Sequence, residues 1–206
     1  MKKPNGYDEA RAYGDYIPLP AGNYVCKIMS VEETQSRAGK PMIIISLDIA
    51  EGEYKDFFAK AWRADTRQDK KWGCRVWQLV NDYQDSSKTS QGFKTFITSV
   101  EKSNKGFAVK WDDDFGPCFK GKLVGAQFRR EEYIDNLSNS HWSTKPASFR
   151  SADTIREGKL DILPDKPLTE EQAKTVFDRD PKPASAPLSN DLSDFEEVIS
   201  DGELPF

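Results

Sequence analysis

The sequence predicts a mainly β domain of five strands, with one helix between the third and fourth strands and an acidic tail behind them. Three observations predict this architecture. Short β-branched and aromatic segments recur along residues 19–160, Gly and Pro residues separate them, and a single segment has clear helical spacing. A chain of 206 residues is long enough for one such domain with appendages.

Three strand-like segments come first along the chain. Residues 24–32 are β-branched and aromatic with partial alternation, and residues 42–49 form an almost continuous apolar run that is typical of a central strand. Gly39 and Gly52 mark the turns that follow these two segments. Residues 54–62 are predicted as the third strand, in which the adjacent Phe57 and Phe58 would face opposite sides of the sheet.

The second half of the domain contains the helix and two more strands. Apolar residues at 93, 96, 97 and 100 have the spacing of one helical face, so residues 91–102 are predicted as a helix that Gly106 ends. Residues 76–80 are too short a run to classify, and residues 107–111 are typical of a short strand. Residues 122–133 are predicted as a strand in which Gly125 permits strong curvature, and residues 142–149 as the returning arm of a hairpin.

The C-terminal part of the chain differs in composition from the domain. Residues 188–206 carry six carboxylates and no Lys or Arg, so they are predicted to be a disordered acidic tail. Without these six negative charges, the net charge of −4 becomes +2. Residues 161–187 are predicted as a Pro-rich linker and residues 1–18 as a flexible lead-in, which leaves residues 19–160 for the folded domain.

The composition argues against several classes of protein. No run approaches the length of a membrane span, and the first residues lack the apolar stretch of a signal peptide, so a cytoplasmic protein is expected. Three widely spaced cysteines indicate a reducing compartment. A single His, without CxxC or HxxxH spacing, argues against a zinc site or a His-based catalytic triad. The Asp triplet at 112–114 is interpreted as a solvated loop, so no metal, cofactor or enzymatic activity is expected.

Aromatic and basic residues alternate in one part of the chain. Between Lys55 and Arg75 there are seven Lys or Arg and three Asp. Because the bases of a single strand stack on aromatic rings while cations follow its phosphates, this segment predicts a single-strand site. At least one of its tryptophans is expected to be exposed. The predicted DNA-binding residues are Phe57, Lys60, Trp62, Arg63, Arg67, Lys70, Lys71, Trp72, Arg75 and Trp77, with Lys122 and Arg129 on a later strand.

The element order is that of the OB-fold, a five-stranded, partly open Greek-key barrel. Three segments of the chain also resemble a family of phage-encoded single-strand binders of OB type from replication or recombination modules. The segments are Leu19-Pro20-Ala21-Gly22-Asn23-Tyr24, Asp48-Ile49-Ala50-Glu51-Gly52-Glu53-Tyr54, and Gly125 followed by Arg130-Glu131-Glu132-Tyr133. The resemblance implies the same fold and the binding of single-stranded DNA in a bacterial host cell.

The end of the tail resembles the C-terminal tip of bacterial single-stranded DNA-binding proteins. Asp201 and Glu203 precede Leu204, Pro205 and Phe206, so carboxylates lead into an apolar tip. In that family the tip recruits replication and repair enzymes, and the resemblance implies replication, repair or recombination proteins as partners. A pocket with a basic rim on a partner protein suits such a tip.

Together these patterns predict a protein that coats single-stranded DNA during phage replication or recombination and recruits partners through its tip. Two alternatives stay open. One is an OB-type adaptor with little DNA affinity, and the other is an accessory protein of a recombinase or nuclease. Assembly into a homo-oligomer is left open, and no membrane association is expected.

Overall fold

The computed structural model describes residues 2–4, 7, 17–135 and 139–170. The elements, in chain order, are β1 (Gly22–Gln35), β2 (Pro41–Ile49), α1 (Phe57–Ala64), β3 (Arg75–Leu79), α2 (Gln91–Ser103), α3 (Phe115–Cys118), β4 (Leu123–Ile134), β5 (Ser140–Arg150) and α4 (Ala152–Arg156). The acidic tail at 188–206, with its tip residues, lies outside the described residues.

The five strands form an open antiparallel sheet in the order β3-β2-β1-β4-β5, which confirms the mainly β prediction. The central strand, β1, pairs with β2 on one side and β4 on the other; Cys26, for example, lies between Ile49 and Val124. β3 and β5 form the two edges. The connection from β3 to β4 carries α2 and α3, so the predicted helix between the third and fourth strands is present.

One core lies between the inner face of the sheet and α2. Alternate residues of β2, such as Ile43 and Ile45, are fully buried in it, together with Phe96 of α2. Both edge strands contribute to the same core, because Val76 of β3 packs against it and Phe149 of β5 has its ring centre 5.1 Å from that of Phe96. α2 therefore packs against side chains from both edges of the sheet.

The predicted third strand at 54–62 is wrong, because this segment turns and enters helix α1. Asp48 of β2 accepts hydrogen bonds from the backbone N–H groups of Phe58 (3.0 Å) and Ala59 (3.3 Å). A carboxylate from a strand thus satisfies donors in the first turn of the helix. Phe57 and Phe58 are neighbours on α1, with ring centres 5.1 Å apart, and do not lie on opposite sides of a sheet. The third strand is formed by Arg75–Leu79.

The other predicted elements agree with the structure in all but one case. Strands β1, β2, β4 and β5 and helix α2 are confirmed within a few residues at each end. The short strand predicted at 107–111 is not formed. Gly125 has a role that its sequence context did not reveal: a Cβ there would lie 2.5 Å from Ile155 Cγ1 and 2.7 Å from the Ser151 carbonyl oxygen. The close approach of α4 to β4 therefore requires a glycine.

The described residues divide into two compact units. The larger comprises those up to Tyr133 together with Trp142–Pro167. In it, Lys166 donates its N–H to Arg130 O (2.8 Å), so part of the predicted linker is hydrogen-bonded to β4. In the smaller unit, Asp135 Oδ1 accepts a 2.9 Å hydrogen bond from the Asn139 N–H. No helix in the described ranges has the length and apolarity needed to cross a membrane.

Candidate nucleic-acid interface

The outer side of the sheet carries an exposed tryptophan on β3. Val76 packs against the core, so the alternate residues Arg75 and Trp77 point to the opposite side of the strand. Trp77 is 54% exposed, and the guanidinium carbon of Arg75 lies 5.1 Å from the centre of its ring. On β2, Ile44 lies opposite Trp77 and Ser46 opposite Arg75. Ser46 is buried, so we call the other three residues, Ile44, Arg75 and Trp77, the Trp77 face; it offers an aromatic ring for stacking beside a cation.

Trp62 and Trp72 have different surroundings from Trp77. Trp72 is partly buried against the core, and its Nε1 donates a 2.6 Å hydrogen bond to Leu47 O. Its indole therefore supports the fold. Trp62 is 40% exposed on α1, and Lys70 Nζ lies 3.8 Å from the centre of its ring. Lys70 Nζ also donates to two backbone carbonyl groups, so a fixed cation occupies one face of the Trp62 ring.

Most basic residues of the predicted site form no close ion pair. Five of them form no ion pair with any described residue: Lys60, Arg63, Lys70, Lys71 and Arg75. Arg67 differs, because its Nη2 lies 2.7 Å from Asp65 Oδ2. This contact lowers the pKa of Asp65 to about 2. Phe57 is partly buried against the core and contributes to packing.

Lys122 and Arg129 are not part of the Trp77 face. Arg129 lies on β4, which β2 and β1 separate from β3, and it is paired with Glu131 at 2.8 Å. Lys122 Nζ lies over the ring of Phe107, 4.9 Å from its centre. Both residues line a cavity that contains no residue of the Trp77 face. The structure thus separates both cations from the other predicted residues.

Besides the contact of Lys3 with Tyr7 at 5.3 Å, three further aromatic–cation pairs were missed by the sequence analysis. They are Lys40 with Tyr83 at 4.1 Å, Arg130 with Trp142 at 5.4 Å, and Lys145 with Tyr133 at 5.6 Å, each measured from the charged group to the ring centre. All three aromatic residues are exposed. Aromatic and basic residues near the predicted hairpin could have signalled the last two pairs. The first joins segments 43 residues apart, which no local pattern reveals.

Trp111 is the most exposed of the tryptophans, at 68%, and its surroundings are acidic. Its ring stacks on Phe115, with the centres 5.6 Å apart. The two rings line a cavity of about 400 Å³, in whose lining Glu33, Asp112 and Asp113 also take part. Carboxylates at this position repel phosphate, so Trp111 is a poor platform for a nucleic-acid base.

Comparison with protein families finds a similarity for the first half of the chain. Residues 6–105 match a family described as a protein of unknown function, DUF669. The matched segment includes β1, β2, α1, β3 and α2, and so contains the Trp77 face and the basic residues before it. No curated protein matches the chain. The described residues contain no cluster of three or more His, Cys, Asp or Glu that could hold a metal ion.

Proposed function

We propose that this protein is a non-enzymatic single-stranded DNA-binding protein of OB type that acts in phage replication or recombination in a bacterial host. The observation that carries the proposal is the exposed ring of Trp77 beside Arg75, which has no ion pair among the described residues. Stacking of a base on an aromatic ring contributes roughly 1–3 kcal/mol and tolerates any sequence. Binding with little sequence preference is therefore expected.

The order of the strands supports an OB-type barrel. A barrel whose sheet opens between its third and fifth strands has the order β3-β2-β1-β4-β5, which is the order found here. The packing of Val76 and Phe149 into one core with Phe96 brings side chains of β3 and β5 to the same helix. OB-folds bind oligonucleotides on the face of strands 2 and 3 and with the loops 1–2 and 4–5. The Trp77 face lies on β2 and β3.

Two of the additional aromatic–cation pairs lie where they would extend the proposed DNA-binding face. Lys40 precedes β2 in the β1–β2 turn, and its Nζ donates a 2.6 Å hydrogen bond to Tyr83 O. The pair of Arg130 and Trp142 lies on the arms of the β4–β5 hairpin. In an OB-type barrel these two positions flank the binding face. Tyr83 beside Lys40 could hold one more base next to a phosphate, whereas Trp142 offers its ring alone because Arg130 is ion-paired with Asp165.

The acidic tail is proposed to recruit replication, repair or recombination proteins. Asp201 and Glu203 would steer the tail to a basic rim, and Leu204 with Phe206 would fill an apolar pocket. Phe206→Ala should abolish the capture of these partners and leave the affinity for single strands unchanged. Capture at full strength by the Phe206→Ala protein would refute this part of the proposal.

Trp77→Ala and Trp111→Ala form a matched pair that tests the DNA site. Both substitutions remove an exposed indole. Trp77 has Arg75 beside its ring, whereas Trp111 lines a cavity with three carboxylates. Trp77→Ala should weaken oligo-dT binding about 5- to 150-fold, which corresponds to roughly 1–3 kcal/mol. Trp111→Ala should leave affinity unchanged. Fluorescence anisotropy of labelled oligo-dT measures both, and equal losses would contradict the assignment.

A second function, an adaptor with little DNA affinity, is favoured by the surface around Trp111. Exposed indole, the stacked Phe115 and three nearby carboxylates suit a basic, apolar peptide better than a nucleic acid. Lack of oligo-dT binding at low salt, together with loss of partner capture in Trp111→Ala, would establish the adaptor in place of the first proposal.

A further inference from the structure

A polar groove lies beside α2, outside the Trp77 face. Its volume is about 510 Å³, and α2 lines one side of it while the end of β5 and the start of α4 line the other. Lys94, Lys102 and Arg150 contribute three cations to the lining, and no carboxylate takes part. Hydroxyl groups of Thr98 and Thr154 add further donors.

The three cations have no anionic partner in the described part of the chain. Elsewhere in that part, several cations are compensated, for example Arg129 by Glu131 and Arg156 by Glu51. Arg150 is held in place because its Nη1 donates 2.8 Å hydrogen bonds to Ser148 Oγ and Phe149 O. A groove with one fixed cation, two exposed lysines, hydroxyl donors and no carboxylate attracts phosphate groups.

The spacing of the lysines suits an extended polyanion. Lys94 and Lys102 are eight positions apart on α2, which places their backbones about 12 Å apart along the helix axis. A single small phosphate does not span the distance between the two lysine positions. A chain of phosphates passes both of them. The groove therefore favours a phosphodiester backbone over a compact anion.

The groove continues toward the strand that carries Trp77. A neighbouring cavity of about 230 Å³ shares Arg150 and Thr95 with it and extends to Val76 and Gln78 of β3. These two residues lie on the side of β3 opposite to Trp77. A strand that stacks on Trp77 and passes around this edge of the sheet would thus enter the groove.

We propose that the α2 groove binds the sugar-phosphate backbone of single-stranded DNA that extends beyond the Trp77 face. This inference rests on the proposed function and adds a second contact region to it. Short oligonucleotides would use the Trp77 face alone, and longer ones would use the groove as well. Salt dependence should accordingly increase with oligonucleotide length, because each added phosphate contact releases counterions.

The test compares two double variants that remove the same charge. Lys94→Gln with Lys102→Gln alters the groove, and Lys105→Gln with Lys120→Gln is the control on exposed lysines outside its lining. Affinity is measured for oligo-dT of about 4 to 16 nucleotides, the range of OB site sizes. For the longest oligonucleotide, the groove variant should lower the magnitude of the log–log salt slope by about 1.4, or 0.7 per contact. It should bind the shortest one like the wild type, and unfolding midpoints of both variants should match the wild type.

Each other outcome overturns a defined part of the account. If the wild type binds no oligo-dT, the proposed function fails and the groove assignment fails with it. If the wild type binds but both variants lose equal affinity at every length, the groove assignment alone is wrong. Tripolyphosphate is the last probe. If it binds the wild type but not the groove variant, and the oligo-dT affinities of the two proteins depend on length in the same way, the groove holds a small phosphate ligand. That result overturns the assignment of the groove to DNA.

Discussion

Trp72 and Trp77 are close in sequence, and the structure predicts opposite consequences for their removal. Trp72 is partly buried against the core and hydrogen-bonded to Leu47 O at 2.6 Å. An indole buries about 150–250 Å². If the substitution removes about half of this area from burial, the lost burial free energy at about 25 cal/mol per Å² is roughly 2–3 kcal/mol. The lost hydrogen bond adds about 1 kcal/mol to this destabilisation. Trp72→Ala should therefore lower the free energy of unfolding by about 3–4 kcal/mol.

Trp77→Ala should cost less than about 1 kcal/mol of stability, because the ring is 54% exposed and its contacts are those of a cross-strand pair. Trp72→Phe separates the packing contribution of Trp72 from its hydrogen bond, because phenylalanine keeps a ring and cannot donate to Leu47 O. We expect it to lower the free energy of unfolding by about 1–2 kcal/mol. Urea unfolding followed by far-ultraviolet circular dichroism measures all three variants. If Trp72→Ala and Trp77→Ala lose the same stability, the division into a core and a surface tryptophan is refuted.

Two further predictions concern the fold. Gly125→Ala should lower the free energy of unfolding by about 1–3 kcal/mol, because its Cβ would lie 2.5 Å from Ile155 Cγ1; an unchanged urea midpoint would contradict this packing. Burial raises the pKa of Tyr24 from 10.0 to about 12, so the folded protein holds the phenolic proton more tightly than the unfolded chain does. The free energy of unfolding of the wild type relative to Tyr24→Phe should therefore be constant below pH 10 and fall as the pH rises toward 12. A constant difference across that range would show that the fold does not raise the pKa of Tyr24.

The sequence predicted the elements whose pattern is local. β2 is an almost continuous apolar run and α2 has its apolar residues on one helical face, so each pattern indicated its own structure. Helix α1 was missed because its first-turn donors are satisfied by Asp48 of a neighbouring strand. Two adjacent phenylalanines suit a strand or a short helix equally, and the contact that decides between them is tertiary.

The candidate site was predictable in composition but not in geometry. The expectation that at least one tryptophan of the basic segment is exposed is confirmed by Trp62 and Trp77. The sequence did not separate these two from Trp72, because burial depends on how the segment packs against β2. It also missed Tyr83, whose partner Lys40 is distant in the chain.

The central claim is that the protein binds single strands through stacking and unpaired cations. The most direct test measures the affinity for oligo-dT and for duplex DNA of equal length over a range of salt concentrations. We predict tighter binding of oligo-dT, with a log–log salt slope of about −2 to −3.5, which corresponds to three to five phosphate contacts at about 0.7 each. Equal or tighter binding of the duplex, or an oligo-dT affinity that does not change with salt, would contradict the account.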